Sequence, residues 1–522
     1  MIHCFKIGKR NLVLDVNSGA LHSVDDAAFS VLRDGGDTFP RLKSLMRPEV
    51  SSGYHCSSED ASTISGTEKY ETGDAFLRGS RDKEPSSVSP PSPSVRAEIN
   101  ALIDAGQLFS PDRSAETHAH MQNRAPVVKA LCLHIAHECN LRCAYCFAGQ
   151  GNYSDDDRGL MSFEVGKNAL DFLIEKSGTR RNLEVDFFGG EPMLNFDVVK
   201  KIVAYGRERE RESGKNFRFT LTTNATLLDD KNIPYINETF DNVVLSLDGR
   251  KHVNDAMREL ATGGGSYEKI LPKIRALVEA RQARNEHRGH ISGATHSLEA
   301  GNASAYYVRG TYTRHNLDFA ADVLHLADAG FKNISIEPVV APPEADYSIR
   351  ECDLPTLFEE YEKLAEALLA REREGCGVFF FHFETDLTGG PCIARRVTGC
   401  GAGAEYLAVT PSGKLYPCHQ FVGDEKWQSH LSLLETGDDS PSCELRQDRE
   451  PPHISNFADC HVYTKPECAA CWAKFYCGGG CFATAYYMNG DIAKPDKISC
   501  ELMKKRVECA LYIFAERKSR GT

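Results

Sequence analysis

From residue 127 onward, apolar runs and helical periodicities take turns. Runs at 128–136, 183–188, 217–223, 242–247, 305–313 and 333–340 predict strands, and stretches at 162–176, 195–212, 232–239, 267–283 and 318–329 predict the helices between them. Six βα units in succession imply an α/β fold with a parallel sheet, a partial (βα)6 TIM-like barrel over 127–375 closed by a helix near 353–374. In such sheets ligands gather at the C-terminal strand ends. The polar segment 284–304 interrupts the fourth crossover and reads as a surface insertion.

The flanks follow other patterns. Short apolar runs at 4–7, 11–16 and 20–24, with an Asn17-Ser18-Gly19 turn, predict three small strands, followed by a helix from Asp26 to Leu32. Residues 51–94 turn to Ser, Gly, Pro, Glu and Asp and end in Pro90-Pro91-Ser92-Pro93, a composition that buries too little apolar surface to offset its ordering entropy, so a disordered insertion is expected. Val95, Ile99, Leu102, Ile103 and Leu108 then recur at helical spacing, with Gly106 placed to end the helix, which completes a first domain over 1–115. After 390 the chain is rich in Cys and Gly with only short elements, as a small domain over 390–515 folded around inorganic centres would be.

Composition narrows the function. With 41% hydrophobic and 26% charged positions, the 522 residues make a globular chain. A balance of 61 basic against 74 acidic side chains, net charge −13, provides no general field for nucleic acid or anionic lipid, so neither partner is expected. No apolar run approaches ~18 residues and the opening Met1-Ile2-His3-Cys4-Phe5-Lys6 is unlike a signal peptide, which points to a cytoplasmic protein without a membrane span. Nineteen cysteines in a reducing compartment argue for thiolate ligation of metal. Three fall at 139, 143 and 146 and eleven lie between 392 and 509, so two metal regions are implied.

The first strand of the alternation runs into His137-Glu138-Cys139-Asn140-Leu141-Arg142-Cys143-Ala144-Tyr145-Cys146. Structural zinc sites want four ligands; a cubane on three thiolates leaves one iron open to substrate. The C-x3-C-x2-C spacing, followed by Phe147, resembles the radical S-adenosylmethionine (SAM) enzymes. The resemblance implies a [4Fe–4S] cluster on Cys139, Cys143 and Cys146, with the open iron chelating SAM. Gly189-Gly190-Glu191-Pro192 at the second strand end resembles that family's GGEP motif, which receives the SAM ammonium. Thr222-Thr223-Asn224, Ser246-Leu247-Asp248-Gly249 and Glu337 end the third, fourth and sixth strands. Thr223, Asn224, Ser246, Asp248 and Glu337 are the implied ribose and carboxylate contacts, and strand-end capping is the plainer alternative for each.

Cys400, then Gly413-Lys414-Leu415-Tyr416-Pro417-Cys418, then Cys468-x2-Cys471-x5-Cys477-x3-Cys481 and Cys500 resemble the SPASM domain of radical SAM peptide-modifying enzymes. By that resemblance Cys468, Cys471, Cys477 and Cys500 hold one auxiliary [4Fe–4S] cluster, while Cys400, Cys418 and Cys481 serve another. Cys392 either supplies a fourth ligand there or stands aside for a substrate thiolate. Cys443, Cys460 and Cys509 fit no ligand position. Outside the two insertions the chain is similar to the maturases of SCIFF peptides, on His137 to Ser162, Tyr306 to Arg314, Gly399 to Tyr406 and Cys471 to Cys477. The first domain resembles the winged-helix-like PqqD element, which adds a leader peptide as a strand to a sheet edge.

This family implies three [4Fe–4S] clusters and SAM, a Cys-rich precursor peptide with a leader, and a low-potential electron donor such as ferredoxin or flavodoxin. The implied reaction is intramolecular thioether formation, begun by hydrogen abstraction by a 5′-deoxyadenosyl radical. Another SPASM-type peptide oxidase, such as an anaerobic sulfatase maturase, is the nearer alternative, and a non-catalytic zinc or electron-transfer scaffold the remoter one.

Overall fold

The computed structural model describes residues 1–34, 92–116, 127–153, 159–292, 305–385, 387, 393–430 and 454–521. Residues 51–91 of the expected insertion lie outside them, as do Cys392 and Cys443. The chain divides into two compact units, Met1–Asp112 and Arg113–Thr522.

In the first unit, β1 (Ile2–Ile7), β2 (Arg10–Asp15) and β3 (Leu21–Val24) form an antiparallel sheet in that order, leaving β1 and β3 as its edges. The helices Asp26–Asp34 and Pro93–Asp104 close over it around Val13, Phe29, Leu32, Ile99 and Leu108. The second helix begins earlier than its apolar rhythm suggested. Ser92 accepts a hydrogen bond from the Val95 amide and Pro93 occupies the first turn, where its missing N–H costs nothing, so Ser92–Ser94 belong to the helix and not to the insertion. Gly106, at φ +67°, follows the helix end as expected. Asp15 is fully buried at the end of β2, where it accepts hydrogen bonds from the amides of Ser18 (2.8 Å) and Ser110 (3.1 Å) and from both their hydroxyls.

The second unit contains a ten-stranded sheet. Its core is the parallel series β4 (Ala130–Ala136), β6 (Asn182–Gly189), β7 (Asn216–Thr223), β8 (Asn242–Ser246), β10 (Ala305–Tyr312), β11 (Asn333–Pro338) and β12 (Phe379–Phe380). Two short strands outside it, β5 (Leu141–Cys143) and β9 (Arg258–Leu260), pair antiparallel. Six of the parallel strands fall where the apolar runs placed them. Every residue of β4 is buried, whereas β6 and β7 alternate, with one face toward the helices and the other toward the barrel interior. The helix Tyr267–Ser292 runs through 284–292, the start of the expected insertion, because the stretch Gln282 to Arg288 holds no Gly or Pro to stop it; 293–304 lies outside the described residues.

The Cys-rich region differs from the expected separate domain. After residue 400 the chain forms β13 (Tyr406–Val409), which pairs in parallel with β4 from Tyr406↔Ala130 to Val409↔Leu133; β14 (Lys414–Tyr416) and β15 (Ser429–His430) then extend the sheet antiparallel. Behind this edge Cys132, Ala408, Tyr416, Phe421, Trp427, Phe457 and Phe482 make one apolar cluster, so the region shares a core with the barrel. The C-terminal helix Lys497–Ser519 packs on Leu354–Arg373, with ion pairs Arg517–Glu372 (3.0 Å) and Lys497–Glu351 (2.9 Å). Among the described residues no helix is long and apolar enough to cross a membrane.

Asp15→Ala takes the shared acceptor from the amides and hydroxyls of Ser18 and Ser110; the expected loss is about 1–3 kcal/mol, measured as a lower chemical-denaturation midpoint for the first unit.

Candidate active site

The loop leaving β4 carries Cys139, Cys143 and Cys146 and is held on two sides. Toward β6, the Gly190 amide donates to Ala136 O (2.7 Å) and the Glu191 amide to Glu138 O (2.9 Å). Toward β8, β5 pairs with β9 (Cys143↔Arg258) and the Ala144 amide donates to Met257 O (2.9 Å). The approach to β6 is so close that a Cβ on Gly190 would stand 2.1 Å from Glu138 O, and one on Gly189 2.4 Å from Ala136 O. The glycine pair thereby admits the cysteine loop itself.

All three thiols are free and face one cavity of about 1940 Å3. Burial pushes Cys143 up to about 12 and raises Cys139, the neighbouring thiols adding to both. The Leu141 amide (3.4 Å) and the Asn224 side-chain amide (3.7 Å) point at the Cys139 sulfur, an arrangement that suits a thiolate.

The strand-end residues divide into two groups. Gly189, Gly190, Glu191, Thr223, Asn224, Ser246 and Glu337 line the cavity, whereas Pro192 and Asp248 stand behind its wall. The Glu191 carboxylate is fully buried and accepts from the Met193 amide (3.0 Å), the Thr223 hydroxyl (2.8 Å) and the Asn224 amide (2.8 Å), so it ties two strand ends together; burial lifts it to about 7. Asp248 pairs with buried Arg258 (2.9 Å) and accepts from Tyr145 (2.6 Å) and the Thr311 amide (2.9 Å), which fixes the ring between Cys143 and Cys146. Glu337 stands among His382 (2.8 Å), Arg506 (3.6 Å) and Arg309 (4.0 Å), which together hold its carboxyl well below the usual range against the cost of burial. Sequence reasoning missed Arg258, His382 and Arg506: Glu337 lies far along the chain from the last two, and a helix separates Arg258 from Asp248.

The later cysteines gather in two groups. Cys500, pushed up to about 12 by burial, has the thiols of Cys477, Cys468 and Cys471 as electrostatic neighbours. Cys418, raised mainly by burial, has those of Cys481 and Cys400. Between Cys477 and Cys481 three consecutive glycines take φ of +70°, +96° and +78°, and this turn brings the amides of Gly479 and Gly480 onto the Cys477 sulfur. The Ala402 amide and those of Gln420 and Phe421 reach the sulfurs of Cys400 and Cys418. Sulfurs met by backbone N–H groups are chemically suited to iron–sulfur ligation. Cys477, Cys481 and Cys500 line the same cavity as the first three thiols. Among the described residues no three His, Cys, Asp or Glu side chains close around a single metal ion.

Two outcomes are expected. Gly190→Ala forces the cysteine loop off β6 and lowers the iron retained after anaerobic reconstitution, measured by iron and sulfide analysis. Asp248→Ala leaves Arg258 buried without its anion and costs about 3–5 kcal/mol in urea denaturation.

Residues 133–285 match the Radical SAM superfamily. An uncharacterized protein of Methanocaldococcus jannaschii is 36% identical over 136 residues, 26% of this chain and 44% of that relative, so the match spans less than half of the relative's length. The radical SAM cyclopropyl synthase TigE of Paramaledivibacter caminithermalis is 21% identical over 392 residues, 72% of each chain. Among solved structures, native anSMEcpe with bound AdoMet and Cp18Cys peptide superposes with a TM-score of 0.56 at 20% identity, covering 76% of this chain and 99% of that one, a likeness of fold. With its cysteine loop seated at the C-terminal ends of the parallel strands, the chain carries a radical SAM domain over residues 133–285.

Proposed function

We propose that the protein forms an intramolecular thioether in a ribosomally made, Cys-rich precursor peptide, joining a cysteine sulfur to a carbon of the same peptide. The observation that carries this reading is the shared cavity: the Cys139, Cys143 and Cys146 thiols lie on its wall together with Cys477, Cys481 and Cys500 of the Cys-rich region. A peptide placed there meets both.

A radical SAM domain implies a [4Fe–4S] cluster and SAM. Cys139, Cys143 and Cys146 would hold that cluster, and the two later groups would hold auxiliary ones. When bound, the first cluster supplies the electron that splits SAM, giving the 5′-deoxyadenosyl radical that takes a hydrogen from the peptide. The chain's own work is positional. Tyr145, held by Asp248, and Asn224, pointed at the Cys139 sulfur, fix the loop; Gly190 lets it lie on β6. In the coupling, a C–H and an S–H bond break and an S–C bond forms. The hydrogen atom would end on 5′-deoxyadenosine and the proton in solvent, and an auxiliary cluster held by the later cysteines would serve as acceptor for the surplus electron. A low-potential donor such as ferredoxin or flavodoxin supplies the first electron. The edges of the first unit's sheet, β1 and β3, suit addition of a leader strand.

TigE, related over 72% of both chains, is named a cyclopropyl synthase, which favours carbon–carbon closure as a second reading. Both products lose two hydrogens, and fragmentation that locates the new bond separates them. The expected outcome for the combined Cys139→Ala, Cys143→Ala and Cys146→Ala variant is loss of 5′-deoxyadenosine formation and of about four irons, the content of one cubane. Retained SAM cleavage would refute the assignment.

A further inference from the structure

Inside the barrel, below the layer of His134, Phe188, Thr222 and Val244, four polar residues stand side by side. Cys132 on β4 is in register with Asp186 on β6, Asp186 with Thr220 on β7, and Thr220 with Asn242 on β8. All four line the cavity. Closed barrels of this architecture fill that level with branched apolar side chains; here it is open and rich in hydrogen-bond acceptors.

Two of these acceptors are short of donors among the described residues: Asp186 accepts from Thr220 alone, and Asn242 Oδ1 has no hydrogen-bond partner. Asp186 faces the Thr220 hydroxyl and, one inward position down its own strand, the Glu184 carboxylate, while no cation contributes to its environment among the described residues. The groups packed around it are Cys132 and Tyr406, whose own ionisation burial pushes well upward, together with Glu184; Arg218 is in register with Glu184, one inward position below Asp186. Higher in the cavity the arginines are engaged, Arg258 with Asp248, and Arg309 and Arg506 with Glu337. An acceptor shut away from water costs free energy until a donor reaches it, and two neighbouring carboxylates favour a donor that carries positive charge.

We infer that this floor is a subsite for an alkylammonium or guanidinium group, held by Asp186 and Asn242, and that it receives a lysine or arginine side chain of the peptide. The subsite deepens the peptide reading above and, for the side chain's origin, rests on it. It would fix the register of the peptide, placing the reacting carbon a set number of residues from the anchored cation.

The pH dependence follows from the carboxyl. Burial and Glu184 raise Asp186 to about 7, and a bound cation favours its ionised form, so binding releases a proton near pH 7 and tightens as pH rises. Isothermal titration of the reconstituted protein with n-butylammonium and with agmatine, at pH 6, 7 and 8 in Tris and in phosphate, tests this. The expected result is about tenfold tighter binding at pH 8 than at pH 6, a heat that differs between the two buffers because a proton is released, and no comparable binding of 1-butanol. Asp186→Asn should flatten the pH profile, and Asn242→Ala should weaken binding without flattening it. Binding that is independent of pH, equal for 1-butanol, or absent would overturn the subsite, and the wild-type proton release decides even where a variant fails to fold. Peptide modification without amine binding would overturn the subsite alone; amine binding by a protein that modifies no peptide would uphold the subsite and overturn the peptide reading.

Discussion

The pairing of β13 with β4 is the constraint on which the site depends. β4 carries the Cys139–Cys146 loop at its end and β6 along one edge, and along its other edge it takes a strand that arrives some 270 residues later. That strand leads to Cys418, and the chain returns through Cys468 to Cys500. Parallel pairing fixes register to the residue, since a slip by one would turn every inward side chain outward. Two groups of thiols distant in sequence thus come to face one cavity.

The cavity wall divides its labour between groups that face inward and groups that hold those in place. Glu191, Asp248 and the Gly189-Gly190 pair sit where the family resemblance places SAM contacts, yet their geometry is spent on the protein. Glu191 joins the ends of β6 and β7, Asp248 neutralises Arg258 and steadies Tyr145, and the glycines admit the cysteine loop. Residues of this kind act on chemistry through position, since a displacement of a fraction of an ångström at the loop moves every sulfur on it.

Much of this was legible in the sequence where a local pattern carries the information. β4, β6, β7, β8, β10 and β11 are read from apolar runs because a strand of a covered parallel sheet must be apolar on its helix-facing side. The C-x3-C-x2-C spacing is legible because the whole pattern lies within eight residues. What stayed hidden depends on distant partners or on very short elements. β5 and β9 have three residues each, too few to show a period, and β13 has four, with nothing in Tyr406–Val409 to say that β4 is its neighbour. Ser92 and Pro93 look like the end of a low-complexity run until their capping role is seen. The Asp248–Arg258 pair joins a strand end to a short strand across an intervening helix, and no spacing rule announces it.

The order in which these pieces emerge from a ribosome has a consequence of its own. The barrel strands through β11 are complete before β13 has been synthesised, and until then one side of β4 presents unpaired amides and carbonyls beside a loop of free thiols. An open edge of that kind is an adhesive surface for any other extended chain. The nascent protein therefore passes through an interval in which it is both sticky and oxidisable, and that interval closes only when the Cys-rich segment docks, so translation speed and the supply of iron and sulfide become determinants of yield.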